Sequence, residues 1–386
     1  MPEAYILSAV RTATGKRNGR LSGLHPALLA GRMLDALVAR SGADPAAIGD
    51  VILGCVGQVG EQASNIGRNA VLSSSLPESV PGTTVERQCG SSQQALHFAA
   101  QAVMSGAQDV VIAGGVESMS RIPMMSTTTL AAKAGMGGPS NPAREARYPG
   151  IQFSQFSGAE AIARKFGLDK DMLDAFALES HLRAASATAR DAFREEIFPV
   201  TLDDGTIHDE DEGIRKDATL DGIAGVKLIL PDGRLTAATS SQISDGASGV
   251  LVVNEAGLKR LGGKPLARMH HMTVVGGDPV VMLESPIAGT QRALARTGMR
   301  IEDIDLYEVN EAFSAIPLAW LQAIGADPAR TNIHGGAIAL GHPLGASGTR
   351  IFATLVHALR STGKRYGLQT MCEGGGMANV TIVERL

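Results

Sequence analysis

The amino-acid sequence predicts an α/β protein built from a duplicated unit, and two observations carry that prediction. Short β-prone apolar runs at 5–10, 51–56, 110–113, 305–309 and 367–371 alternate with Ala- and Leu-rich stretches of helical period, the pattern of a sheet covered by helices. A repeat then relates two parts of the chain. Ala39, Arg40, Ser41 and Gly42, with Ile48 beyond, recur as Ala295, Arg296, Thr297 and Gly298 with Ile304, an offset (298 − 42) of 256 positions. At the same offset (345 − 89), Cys89, Gly90, Ser91 and Ser92 fall on Gly345, Ala346, Ser347 and Gly348, each followed by an Ala-rich helical stretch. Two separate matches with one spacing indicate duplication.

Composition narrows the class. A chain of 386 residues with 44% hydrophobic content buries a large core and has room for two or three domains. Its formal net charge of −4, with no long basic run, disfavours nucleic acid and anionic membrane surfaces as partners, so any anionic ligand must be held locally. The N-terminal residues lack the apolar core of a signal peptide and no segment has membrane-spanning length, so a cytoplasmic location is expected. The three cysteines, Cys55, Cys89 and Cys372, form no CxxC pair. They read as free thiols, not as a disulfide framework or a metal site.

Between the two repeats the pattern changes. Residues 119–150 are rich in Met, Thr, Gly and Pro and predict irregular loop; a long helix is expected over 169–193, and the acidic run 208–217 reads as a solvated turn. The organisation expected is an N-terminal half over 1–117 completed by 250–265, an insertion over 118–249 that caps the first half, and a C-terminal half over 266–386.

Three stretches carry candidate chemistry. Residues 86–106 read ERQCGSSQQALHFAAQAVMSG. Leu96, Ala99, Ala100, Val103 and Met104 follow Cys89 at helical spacing until Gly106, which places the thiol at a helix N-terminus. Free N–H groups and the positive dipole end favour thiolate there, so the thiol is expected below its usual value of about 8.5. Gly90, Ser91 and Ser92 leave room for a carbonyl to approach the sulfur; the alternative is an inert cysteine packed under a helix. His342, between Gly341 and Pro343 in a Gly-rich segment, can present an imidazole base from a loop or be a satisfied loop histidine. Cys372 ends a strand-like run and opens CEGGG, at the kind of strand end where α/β sites collect, or is a small core filler. Asn310, after the strand-like 305–309, can hold a water or donate to an oxyanion, or make an Asx turn.

These motifs together carry a family resemblance. ERQCGSSQQAL (86–96), NEAF (310–313), GGAIALGHPLGASG (335–348) and CEGGG (372–376) stand in the order and roughly the spacing of the thiolase family of acetyl-CoA acyltransferases. AVRTATGKRNG (9–19), AGGVESMS (113–120) and SSQISDGAS (240–248) extend the resemblance over nearly the whole chain. GKRNGRLSGLH (15–25) and GEQASNI (60–66) are more similar to thiolases of bacterial steroid and long-acyl degradation than to the acetoacetyl-CoA-forming branch.

The resemblance implies a thiolase-like fold of duplicated αβα units in five αβαβα layers, with a capping loop domain. It implies reversible, CoA-dependent thiolytic cleavage of a 3-ketoacyl-CoA through an acyl-cysteine, as in β-oxidation and lipid degradation. Coenzyme A is then co-substrate, with no bound cofactor and no metal, and a homodimer or homotetramer is expected. Carried over by position, Cys89 matches the nucleophile, His342 the group that takes its proton, Cys372 the second acid and base, and Asn310 the holder of a water. The N–H groups of Cys89 and Gly374 match the oxyanion cradle, Ser241 a pantetheine contact, Arg215 a residue near the adenine, and Phe313 a further substrate contact. Two positions depart from the pattern: Glu86 stands where the family usually has Asn, and Gly222 where an adenine-contacting Ser is common. A β-ketoacyl synthase would use two histidines where this chain has Cys372, and a non-catalytic acyl or sterol carrier would have lost a reacting residue, whereas none is lost. No GxGxxG opens a helix after the first strand, which disfavours a nicotinamide oxidoreductase.

Overall fold

The computed structural model describes residues 2–386. Its strands in chain order are β1 (Tyr5–Arg11), β2 (Gly15–Lys16), β3 (Asp50–Gly54), β4 (Gly82–Val85), β5 (Val110–Ser118), β6 (Val200–Thr201), β7 (Ile207–His208), β8 (Ser244–Val253), β9 (Ala267–Gly276), β10 (Leu306–Val309), β11 (Tyr366–Glu373) and β12 (Met377–Arg385). All but β6 and β7 join one mixed sheet in the order β10-β11-β12-β9-β1-β8-β5-β3-β4, with β2 beside β8. The sheet has two halves. They meet only through β1 and β9, over the pairs Tyr5↔Arg268 and Ile6↔Ala267.

The repeat seen in the sequence is a repeat of structure. Strand β3 and β10, the helices Ser91–Ser105 and Ser347–Thr362, and β5 and β11 each start 256 residues apart. Gly42 and Gly298, at the same spacing, both end their helices in the left-handed conformation, with φ of 65° and 71°, where glycine has no Cβ penalty.

Five layers follow from where the apolar side chains point. On the outer face of the first half, Met33, Leu34 and Leu37 of the helix Pro26–Ser41 pack with Val51, Leu53, Ile112 and Leu251. On the outer face of the second, Ala293, Trp320 and Tyr307 pack with Leu368, Val380 and Ile382. The helices Ser91–Ser105 and Ser347–Thr362 form the middle layer. Their Ala95, Ala99, Val103, Phe352, Leu355 and Leu359 fill the space between Val111, Val250 and Val252 on one side and Met269, Leu306 and Val383 on the other. Ser347 through Leu359 are all buried, whereas the helix Ser91–Ser105 keeps Phe98, Gln101 and Ser105 exposed along one side.

Residues 118–249 differ from expectation in two respects. The stretch expected to be irregular contains two short helices, Ser126–Lys133 and Pro142–Arg147, neither with a buried residue. The insertion also leans on the second half as well as the first, because Ala159, Ile162 and Ala163 of the helix Gln155–Lys165 present an apolar face to Phe313, Ile316 and Cys372. Toward the first half Phe198 and Val200 join the apolar core, and a buried ionic tie adds to them. Arg11, fully buried, donates from Nε to Glu196 at 2.6 Å and from Nη1 and Nη2 to Asp211 at 2.7 and 3.0 Å. Burial works to raise the Asp211 carboxyl, but Arg11 outweighs it and holds the group below its usual range. Arg11→Met leaves two buried carboxylates uncompensated, and a loss of about 3–5 kcal/mol is expected in urea unfolding; an unchanged midpoint and slope would contradict this role.

Candidate active site

The Cys89 turn is built by its own neighbours. Gln88 has φ +48°, an uncommon conformation for a non-glycine residue. Its N–H donates to Glu86 Oε1 at 2.6 Å, while Ser91 Oγ accepts from Arg87 N–H at 2.9 Å and donates to the Gln88 carbonyl at 2.6 Å. These bonds replace a side-chain N-cap on the helix Ser91–Ser105, which starts two residues after Cys89. Cys89 is half-buried. Burial first, then the Glu373 carboxylate, push its thiol up to about 12. The expectation of a lowered thiol is therefore overturned: a helix terminus is worth at most ~2 kcal/mol to a charge, less than desolvation and a nearby carboxylate take away.

His342 sits in the segment between the one-turn helix Ala337–Leu340 and the 3-10 turn Leu344–Ala346. Gly341, at φ +86°, passes too close to Ser244 to carry a Cβ. His342 N–H donates to the Gln242 carbonyl and to Ser244 Oγ, both at 3.2 Å. Ser347 Oγ lies 2.5 Å from Nδ1 and donates to the Pro343 carbonyl at 2.9 Å. The hydroxyl proton is thus committed, so Nδ1 carries hydrogen and Nε2 is the free base, a tautomer assigned from this network. Asn310 Nδ2 lies 3.4 Å from that Nε2, and its Oδ1 is buried with no partner. Burial, aided by Arg350, pushes the imidazole down to about 3, so His342 is neutral.

Cys372 lies at the end of β11, 1% exposed, among Leu283, Ala312, Phe313 and Ile316. Burial and the neighbouring Cys89 sulfur hold its thiol well above the ordinary value. Gly374 follows on the turn between β11 and β12, where a Cβ would crowd the Gln88 side chain. The structure thus brings Cys89, Cys372 and Gly374 together on one side and His342 with Asn310 on the other. The two groups are joined through backbone. Asn310 N–H donates to Thr370 at 3.0 Å, two residues before Cys372, and Thr349 N–H donates to Ser92 Oγ at 3.0 Å. No hydrogen bond links His342 to the Cys89 sulfur among the described residues.

The expected CoA positions separate. Arg215 lines a cavity of about 220 Å³ with Thr219, Gly222, Ile223, Ala238 and Ser240. Ser241, next to Ser240 of that lining, has its N–H on the Ala312 carbonyl at 3.0 Å. Phe313 is buried edge-to-face against Phe156, centroids 5.8 Å apart.

The sequence spans the thiolase N-terminal domain over residues 4–256 and the thiolase C-terminal domain over residues 263–385. The chain belongs to the thiolase family. It is 50% identical over 388 residues to a steroid 3-ketoacyl-CoA thiolase of Mycobacterium tuberculosis, covering 100% of this chain and 95% of that protein. It is 41% identical to a 3-ketoacyl-CoA thiolase of Psychrobacter arcticus and 36% identical to one of Bacillus subtilis, in each case over 100% of this chain and at least 98% of the other.

Four residues of this candidate site were not singled out from the sequence. Ser347 orients His342. Glu117 accepts from Val56 and Gly57 N–H, Gln62 Nε2 and Gly345 N–H at 2.8–2.9 Å, tying β5 to the His342 loop. Glu311 accepts from Ser180, Asn332 and the Ile338 N–H at 2.7–3.1 Å, fixing the turn that carries Asn310. Glu373, beside Cys372, is the fourth. The repeat held the signal for three of them, since Ser347 mirrors Ser91 and Glu373 mirrors Glu117. Nitrogen-15 NMR of labelled His342 is expected to show neutral imidazole from pH 8 to pH 5; titration with a midpoint near the ordinary 6.5 would contradict the buried site.

Proposed function

We propose that the chain cleaves 3-ketoacyl-CoA thioesters with coenzyme A, and that Cys89, His342, Cys372 and Asn310 do the chemistry. The observation that supports this reading is a pair of neighbouring thiols, Cys89 and Cys372, and a neutral imidazole with an unprotonated Nε2 beside an amide with an unused acceptor, the two sets tied by Asn310 N–H on the Thr370 carbonyl and Thr349 N–H on Ser92 Oγ. Because the Cys89 thiol is protonated at rest, attack requires a base at the moment of reaction. His342 Nε2 takes the proton as sulfur adds to the 3-keto carbon, and the N–H groups of Cys89 and Gly374 receive the oxyanion; one such donor is typically worth ~3 kcal/mol.

Collapse of the tetrahedral adduct breaks the bond between C2 and C3. The acetyl-CoA enolate so released takes the Cys372 proton, leaving acyl-Cys89 and a Cys372 thiolate. A thiol held protonated by burial is an available acid for so basic a carbanion. The thioester oxygen of the enolate is met by protonated His342 and a water on Asn310. Cys372 thiolate then deprotonates incoming CoA, whose sulfur attacks the acyl group. Cys89 leaves as thiolate and regains its proton from His342, which closes the cycle. Run in reverse, the same groups perform a Claisen condensation.

The cavity at Arg215 is the proposed adenine end of CoA, with Ser240 and Ser241 along the pantetheine path and Phe313 behind the acyl site. Gly222 in its lining makes no side-chain contact with the base. For the acyl group we propose a ring-bearing, steroid-derived chain, supported by 50% identity to the steroid-named relative against 41% and 36% to the two other relatives above. The halves 1–117 with 250–265 and 266–386, with 118–249 as the CoA-binding cap, are proposed as the working domains. A homo-oligomer is proposed, with the edge strand β4 and the exposed helix Ser126–Lys133 as candidate contacts. No helix of the described residues is long and apolar enough to cross a membrane.

Intact-mass analysis after mixing with a 3-ketoacyl-CoA is expected to show an acyl adduct on Cys89 that free CoA discharges. Cys89→Ser should lower thiolysis by ~10³-fold or more. A protein that forms no adduct, or an adduct that CoA does not remove, would refute the reading. In a panel of acetoacetyl, long linear and steroid side-chain thioesters, the last is expected to give the highest kcat/KM; preference for acetoacetyl-CoA would overturn the acyl assignment alone.

A further inference from the structure

Glu373 is fully buried, and neither of its carboxyl oxygens has a well-formed hydrogen bond, the Asn379 N–H being the backbone donor that faces it. A buried carboxyl without partners is costly to ionise and calls for an explanation. Its setting supplies one. Glu373 ends β11 as Glu117 does in the equivalent stretch of β5, 256 residues earlier. Glu117 is bound by four donors, one of them the Gly345 N–H at the mouth of the opposite middle helix. By the repeat, the counterpart of Gly345 is Cys89. Glu373 accordingly lies under the Cys89 turn, against Gly90, where any Cβ would collide with its carboxyl group. It makes none of the bonds that Glu117 makes. The Cys89 N–H is thereby left for the oxyanion, and the carboxyl is left uncompensated.

The groups around it are few. Its own strand presents Cys372, the 86–90 turn presents Glu86, Arg87 and Cys89, and β12 presents the Asn379 backbone. Arg87 is the one cation among them and is not bonded to Glu373; its Nε is buried without a partner, and Nη1 lies 3.7 Å from the Met377 sulfur. We propose that Glu373 is a positioning residue for the thiol chemistry: protonated, it fills the space beneath the Cys89 turn as a neutral side chain, and ionised, its charge opposes thiolate at Cys89 and Cys372 and the oxyanion at the same N–H groups. Burial, opposed in part by Arg87, raises the carboxyl to about 8. On raising the pH the first proton therefore leaves Glu373 ahead of either sulfur, since Cys89 lies at about 12.

The role rests on the thiolase reading, and two readouts separate the failures. One is the pH profile of thiolysis kcat/KM; the other is alkylation of Cys89 in the resting protein by iodoacetamide, located by peptide mass spectrometry, which needs no turnover. Native protein is expected to lose kcat/KM above about pH 8. Glu373→Gln keeps the shape, removes the charge and should abolish that fall, and Cys89 alkylation at pH 9 should run about tenfold faster than in native protein, a difference of about 1.4 kcal/mol. Glu373→Ala should move both readouts the same way, which assigns the effect to charge and not to packing. Glu86→Gln, which alters an exposed carboxylate on the same turn, should retain the alkaline fall. Profiles of Glu373→Gln and Glu373→Ala that overlay the native curve would overturn the proposal. Absence of thiolysis in native protein would instead sink the thiolase reading, while the alkylation rates would still decide the effect of the Glu373 charge.

Discussion

The site depends on the close approach of two helix ends. The helices Ser91–Ser105 and Ser347–Thr362 start side by side in the middle layer, with Thr349 N–H on Ser92 Oγ at 3.0 Å. A Cβ on Gly348 would fall on the backbone of Gln93, and one on Gly54 would fall on the Ser92 N–H and the Gly345 carbonyl. Only hydrogen at these positions lets the two halves close to this separation. Everything else is placed by that contact. Residues just before one helix carry Cys89, residues just before the other carry His342, and the positive ends of both dipoles face the region where negative charge develops during acyl transfer.

The same burial that brings the groups together keeps them uncharged at rest. Cys89 and Cys372 are protonated and His342 is neutral, each shifted mainly by desolvation. Such a site stores no thiolate that a stray electrophile or oxidant could capture. Charge appears only when substrate supplies a carbonyl to receive it, and then in a dry, prearranged setting. The carboxyls that build the scaffold are held by donors, four on Glu117 and three on Glu311, which offset part of the burial that raises both. Glu373 is the exception within reach of the sulfur.

Much of this was legible in the sequence. The offset of 256 positions joins Cys89 to Gly345 in the sequence itself, and the strands at 5–10 and 110–113 begin where β1 and β5 begin. The helix after Cys89 ends at Ser105, just before Gly106, which takes φ +75°. Other features were hidden for physical reasons. Strand β8 starts Ser-Asp-Gly-Ala-Ser, a composition that reads as turn, yet all ten of its residues are buried because sheet partners and the middle helices cover it. Residues 126–133 form a helix with no buried face, so no apolar periodicity could announce it. The sign of the Cys89 shift is hidden because the helix terminus is visible in sequence, whereas the carboxyl of Glu373 meets Gly90 from the end of β11, far away along the chain. Phe313 stands at a family position but is buried against Phe156 and is not among the residues that line the Arg215 cavity.

The most direct test is a crystal structure of the protein trapped as its acyl-Cys89 intermediate. The account expects the acyl oxygen about 3 Å from the N–H groups of Cys89 and Gly374, with the Cys372 sulfur on one side and His342 Nε2 with Asn310 on the other. An acyl oxygen turned away from those N–H groups, or an acyl group carried on another side chain, would contradict it.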